Sequence, residues 1–121
     1  MDIGTQTHLT TLRGLLTYRL HELQADVHAA ELAKHPQDAG GEVIDRKDEA
    51  AQAMLSDIED AEERRHRAEL TEVEHALHRL DAGTYGDCVA CGEPIPLQRL
   101  LVLPAAQRCA ECQSIGERSG S

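Results

Sequence analysis

The chain has 121 residues with no Phe or Trp and only two Tyr, Tyr18 and Tyr85, so it lacks the bulky side chains of a large globular core. Its 12 Lys and Arg stand against 22 Asp and Glu, a formal charge of −10, which with no basic stripe and almost no aromatics excludes a binder of free nucleic acid and points to a protein partner. The apolar content is mostly Leu and Ala, which suits long helices packed along a narrow seam and predicts an elongated, mainly α architecture.

Residues 1–5 read as frayed, with Thr5 or Thr7 placed to cap a helix that runs to about Lys34. Leu9, Leu12, Leu16, Leu20, Leu23, Val27 and Ala30 step by three or four residues, the spacing of a packing seam. Gly14 lies inside that stripe at a cost on the order of 1 kcal/mol relative to Ala. From His35 to Gly41, Pro36 cannot continue the helix and Gly40-Gly41 permit a reversal. A second helix begins between Glu42 and Asp48 and continues to about Asp81, where Ala82-Gly83 supply a stop. At about 1.5 Å per residue it is roughly 50 Å long, and the short connection makes the two helices antiparallel.

The second helix offers Ala51, Met54, Leu55, Ile58 and Ala61 near its start, and Leu70, Val73, Leu77 and Leu80 near its end. Between them, residues 62–67 read Glu-Glu-Arg-Arg-His-Arg, either a solvated stretch or a contact for a partner. Asp45 and Asp48, three residues apart at the helix start, read on their own as N-terminal capping. The seven His are scattered; His75 and His78 share a helix face, but no Cys or carboxylate joins them, so they read as exposed helix residues.

All four cysteines follow Gly83, as Cys88-Val89-Ala90-Cys91 and, seventeen residues on, Cys109-Ala110-Glu111-Cys112. Two C-x-x-C pairs at that separation fold onto one tetrahedral ion, each pair supplying two thiolates from a tight turn, and Gly86, Gly92, Pro94 and Pro96 supply the turn chemistry. The competing readings are a disulfide pair and a redox C-x-x-C, but no secretory signal opens the chain and no βαβ pattern surrounds the cysteines. Four thiolates leave no position open for water, so the expected metal is one structural Zn²⁺, which leaves the site with a charge of −2. Around it, Ile95, Leu97, Leu100, Leu101, Val102 and Leu103 read as core. The run Leu100 to Leu103 is too short to span a bilayer, which predicts a soluble, cytoplasmic protein. Residues 113–121 read as a frayed tail. The expected division is therefore 1–82 as a helical hairpin with its tip at about 35–50, 83–112 as the zinc module, and 113–121 as the tail.

Taken together, a helical hairpin, Tyr85-Gly86-Asp87-Cys88-x-x-Cys91-Gly92-Glu93-Pro94-Ile95, Arg99-Leu100-x-x-x-Pro104 and the closing Cys109-x-x-Cys112 resemble the DksA/TraR family of bacterial transcription factors over about residues 45–112. The resemblance implies a monomeric, non-enzymatic factor that binds RNA polymerase rather than DNA, inserts the hairpin into the secondary channel and changes the lifetime of promoter open complexes. It also implies that Asp45-Arg46-Lys47-Asp48-Glu49-Ala50 is the family's acidic tip motif, D-x-x-D-x-A, with Asp45, Asp48 and Ala50 as its functional positions. The basic side chains with which the family's namesake binds guanosine tetraphosphate against polymerase would fall at Glu72, Leu103 and Gln113, none of them basic. The C-terminal helix of that relative is largely absent and the N-terminal segment shorter, as in a shorter paralogue. The alternative is a zinc-stabilised adaptor that holds some other protein, with no effect on transcription.

Overall fold

The leucine stripe of the first third forms the helix its spacing predicts. In the computed structural model, which describes residues 1–34 and 46–118, five helices follow in order: α1 (Ile3–Thr7), α2 (Leu9–Lys34), α3 (Arg46–Ala82), α4 (Leu97–Val102) and α5 (Ala110–Arg118). Among the described residues the only extended pairing is one antiparallel bridge between Asp87 and Pro94. The chain is thus mainly α, with two long helices ahead of a small four-cysteine module. Its contacts gather into two compact units, Met1–Leu20 with Thr71–Ser121, and His21–Leu70.

In the first unit, Leu12 and Leu16 of α2 are buried together with Val73 and Ala76 of α3, and with Tyr85, Ile95 and Leu100 beyond it. Arg13 and Asp81 add an exposed ion pair of 2.9 Å, of a kind worth roughly 0–1 kcal/mol. The N-terminal segment is ordered rather than frayed, and the expected single helix is two. Thr5 is fully buried within α1 instead of capping, and Thr7 donates its hydroxyl to the Ile3 carbonyl. The break falls at His8, whose Nδ1 lies 2.8 Å from the Gly4 carbonyl and so carries the proton. What orders this segment is tertiary. The Met1 amino group pairs with Asp87 at 2.9 Å, and Met1 and Thr5 lie over Gly86, where any Cβ would meet the Thr5 methyl at 3.2 Å.

Helix α3 ends as Ala82-Gly83 suggest. Gly83 takes φ 78°, and the Thr84 N–H donates to the Arg79 carbonyl while the Gly83 N–H donates to that of Leu80, the paired bonds of a Schellman stop.

In the second unit the seam is thinner. Leu23 and Val27 of α2 are buried, and the stretch 62–67 supplies a polar layer: Glu63 is buried, and Arg67 donates to Glu31 at 2.7 Å and to Glu63 at 2.9 Å. Hydrogen bonds to Glu31 and then Glu63 raise the Arg67 pKa, so the guanidinium is charged throughout the ordinary pH range. Neither reading of that stretch as merely solvated or as a partner contact covers this interhelix clamp. Met54, Leu55 and Ile58, expected in the seam, are exposed instead. Apolar residues recurring at helical spacing make a stripe but do not by themselves supply a neighbour to bury it. The expected turn at His35 to Gly41 lies outside the described residues.

Replacing Gly83 by Ala meets no neighbour and should cost only the left-handed backbone, roughly 1–2 kcal/mol. Gly86→Ala adds the clash with Thr5 and Met1 to a φ of 91°. Urea unfolding of the two variants should therefore rank Gly86→Ala as the more damaging; the reverse order would show that α1 does not rest on Gly86.

Candidate metal centre

The first cysteine pair is built by a tight backbone ladder. Ile95 N–H donates to Gly86 O at 2.7 Å, Cys88 N–H to Glu93 O at 2.8 Å and Gly92 N–H to Cys88 O at 2.9 Å. These bonds fold residues 86–95 back on themselves and turn the Cys88 and Cys91 side chains toward one point. The second pair opens a helix: Gln113 N–H donates to Cys109 O at 2.9 Å as α5 begins, and Cys112 N–H points to the Cys109 sulfur at 3.5 Å. A helix start presents unpaired N–H groups and a partial positive charge, which favour thiolates there.

Three bonds tie the two pairs together. Val89 N–H donates to Gln107 O at 2.9 Å, Arg99 Nε to Arg108 O at 3.1 Å, and the Tyr85 hydroxyl to Pro104 O at 2.8 Å. Burial pushes the Tyr85 phenol up to about 12 against the opposing pull of Arg79, so it stays a neutral donor. Burial likewise lowers the pKa of Arg79, whose Nε and Nη2 are enclosed without a hydrogen-bond partner.

All four sulfurs lie within 4.8 Å of one another, and those of Cys91 and Cys109 are 3.9 Å apart. A tetrahedral zinc with Zn–S bonds of about 2.3 Å requires sulfur separations of about 3.8 Å, whereas a disulfide requires about 2.05 Å. All four cysteines are free thiols, and the disulfide reading fails on this spacing. The thiols also disagree electrostatically. Burial pushes Cys88 up, but backbone hydrogen bonds from Cys109, Cys91 and Ala90 outweigh it and bring Cys88 down to about 6. Cys112 is pushed above the ordinary thiol range by the sulfurs of Cys109, Cys91 and Cys88. Four thiolates this close need a cation between them, and the donor set, count and spacing fit a structural Zn²⁺.

Of the acidic motif, Asp45 lies outside the described residues, while Asp48 and Ala50 stand exposed in the first turn of α3. They belong to the second compact unit and the cysteines to the first. His75 and His78 are exposed, and among the described residues only the cysteines gather as a metal-binding group. Glu72 and Gln113 are exposed, and the Gln113 amide donates to Glu117.

Two expectations need correction. The run Leu100 to Leu103 is not all core: Leu100 is buried, but Leu101, Val102 and Leu103 are exposed. Only six residues of helix form here, and Leu100 is the one it buries. The expected frayed tail is helical as far as Arg118, because the second cysteine pair holds the start of α5. No helix among the described residues is long and apolar enough to cross a membrane.

Because so small a module draws its folding energy from the metal, Cys88→Ser or Cys109→Ser should lose the zinc and unfold the segment from Gly83 onward. Metal analysis with amide-exchange protection would check this, and a variant that kept its full zinc content would contradict it. Acidification should release the metal from the parent protein as protons replace it on sulfur.

Comparison with known proteins places this geometry. Residues 83–118 match the prokaryotic dksA/traR C4-type zinc finger. The structure of the transcription factor DksA2 from Pseudomonas aeruginosa superposes with a TM-score of 0.72 at 31% identity, covering 98% of this chain and 88% of that one. The RNA polymerase-binding transcription factor DksA of Haemophilus influenzae is 32% identical over 89 residues, 74% of this chain and 61% of that protein. An uncharacterised protein of Aquifex aeolicus is 45% identical over 51 residues, 42% of this chain and 35% of its own length. The chain thus spans less than two thirds of either of these two curated relatives. With a zinc-finger match over the four clustered cysteines and the same fold along nearly the whole chain, the protein is a zinc-bearing member of the DksA/TraR family.

Proposed function

We propose that this protein is a cytoplasmic, non-enzymatic transcription regulator that binds RNA polymerase and carries an acidic tip into its secondary channel, altering the stability of open complexes. The observation that carries this reading is the likeness to the Pseudomonas aeruginosa transcription factor along 98% of the chain. The Haemophilus influenzae relative, described as RNA polymerase-binding, supports the choice of partner. Cys88, Cys91, Cys109 and Cys112 are the zinc ligands and hold the module folded; Asp45, Asp48 and Ala50 form the working tip. The exposure of Asp48 and Ala50 at the start of a 37-residue helix supports that role.

The same reading makes control by guanosine tetraphosphate weak. An acidic, an apolar and an amide side chain at Glu72, Leu103 and Gln113 cannot neutralise a polyphosphate as Lys or Arg would. In a transcription assay, adding the nucleotide should leave the effect of this protein unchanged; strong potentiation that depends on it would reject this part of the reading.

The tip is tested by Asp45→Asn with Asp48→Asn. Asn caps a helix about as well as Asp, so the pair should cost stability only a charge–dipole contribution of about 0.3–1 kcal/mol. Zinc content and polymerase binding should persist while the effect on open-complex lifetime disappears. A double variant that regulates like its parent would reduce the carboxylates to caps.

A further inference from the structure

Beside the zinc cluster, the first compact unit carries an open groove of about 570 Å³, whose lining includes Leu103, the apolar residue at one of the positions compared above with nucleotide-binding side chains. Its floor is apolar: Pro94, Pro96, Val102 and Leu103 line it, with Val102 78% and Leu103 49% exposed. Helix α4 buries Leu100 and leaves Val102 at its end, with Leu103 just beyond it, turned outward. Isolated exposed apolar residues are ordinary, but neighbouring ones set in a concave surface with a polar rim mark an interaction site.

The rim has one dominant sign. Glu93 and Glu111 stand exposed along it, and Cys91 and Cys109 are among the residues that line it. With zinc in place, the four thiolates retain a charge of −2 on sulfurs that accept hydrogen bonds. Arg99 is the one cation among the lining residues; its Nε donates to the Arg108 carbonyl, and its charge offsets one of the two carboxylates but not the thiolates as well. An acidic rim over an aliphatic floor repels nucleic acid and anionic lipid, and it complements a cation flanking an aliphatic anchor.

We propose that this groove is a second docking surface, taking a basic segment of a partner protein that seats a Leu- or Val-sized side chain on Val102 and Leu103 while its Lys or Arg groups meet Glu93, Glu111 and the zinc thiolates. It is independent of the acidic tip, whose residues lie in the other compact unit, and it stands whether or not the partner is a polymerase.

The test uses the full-length, zinc-loaded protein and two synthetic peptides, one of Lys and Leu and one with Glu in place of every Lys, followed by methyl and amide NMR. The basic peptide should shift the Val102 and Leu103 methyl resonances saturably, and the acidic peptide should not. Val102→Ser with Leu103→Ser should weaken binding at least about tenfold, the loss expected from removing two partly buried aliphatic contacts. Val102→Ser alone, at the more exposed position, serves as the milder variant. Glu93→Gln with Glu111→Gln should weaken binding severalfold and flatten its salt dependence. Unchanged zinc content certifies each variant as folded. Equal shifts with both peptides, shifts confined to α3, or binding indifferent to these substitutions would overturn the proposal.

Discussion

Four thiol sulfurs confined within 4.8 Å of one another cannot all ionise without a cation, and most of the first compact unit depends on how that repulsion is relieved. Zinc converts it into attraction and so fixes the ladder around residues 86–95 and the start of α5. Once that ladder is fixed, Gly86 is available as the surface on which Thr5 and Met1 rest. Tyr85 is likewise held against Pro104. The core formed by Leu12, Leu16, Val73, Ala76, Ile95 and Leu100 is small, and without the metal it would have to order the module unaided.

The second unit follows a different logic. Among its described residues, the buried ones are Leu23, Val27 and Glu63, so the helix pair depends on a shared guanidinium, Arg67, as well as on apolar contact. The Glu31 arm of the clamp is exposed and adds little stability, whereas Glu63 is buried and would be left without this partner if Arg67 were removed.

Much of this was legible from residue order alone, for identifiable reasons. The stripe through Leu12, Leu16, Leu23 and Val27 is a local periodicity, and burial follows it. The Gly83 stop is a local backbone requirement, and the chain meets it with the bonds expected. The four-cysteine cluster is encoded by spacing and side-chain chemistry, which survive any detail of packing. What escaped depends on contacts between distant segments. Nothing near Thr5 announces that Gly86 will receive it, so the N-terminus read as frayed. Periodicity marks Met54, Leu55 and Ile58 as apolar but does not say whether a neighbour will cover them. A six-residue helix has too few turns for the pattern of Leu100 to Leu103 to say which side faces inward.

The central claim is that the start of α3 works inside RNA polymerase, and a photo-crosslinking amino acid placed at Ala50 tests it most directly. The side chain there is exposed, so the substitution should leave the zinc module folded. On irradiation with core RNA polymerase, the account predicts crosslinks to segments lining the secondary channel next to the active site. Crosslinks confined to the outer surface of the enzyme, or none from a protein that otherwise binds it, would contradict the account.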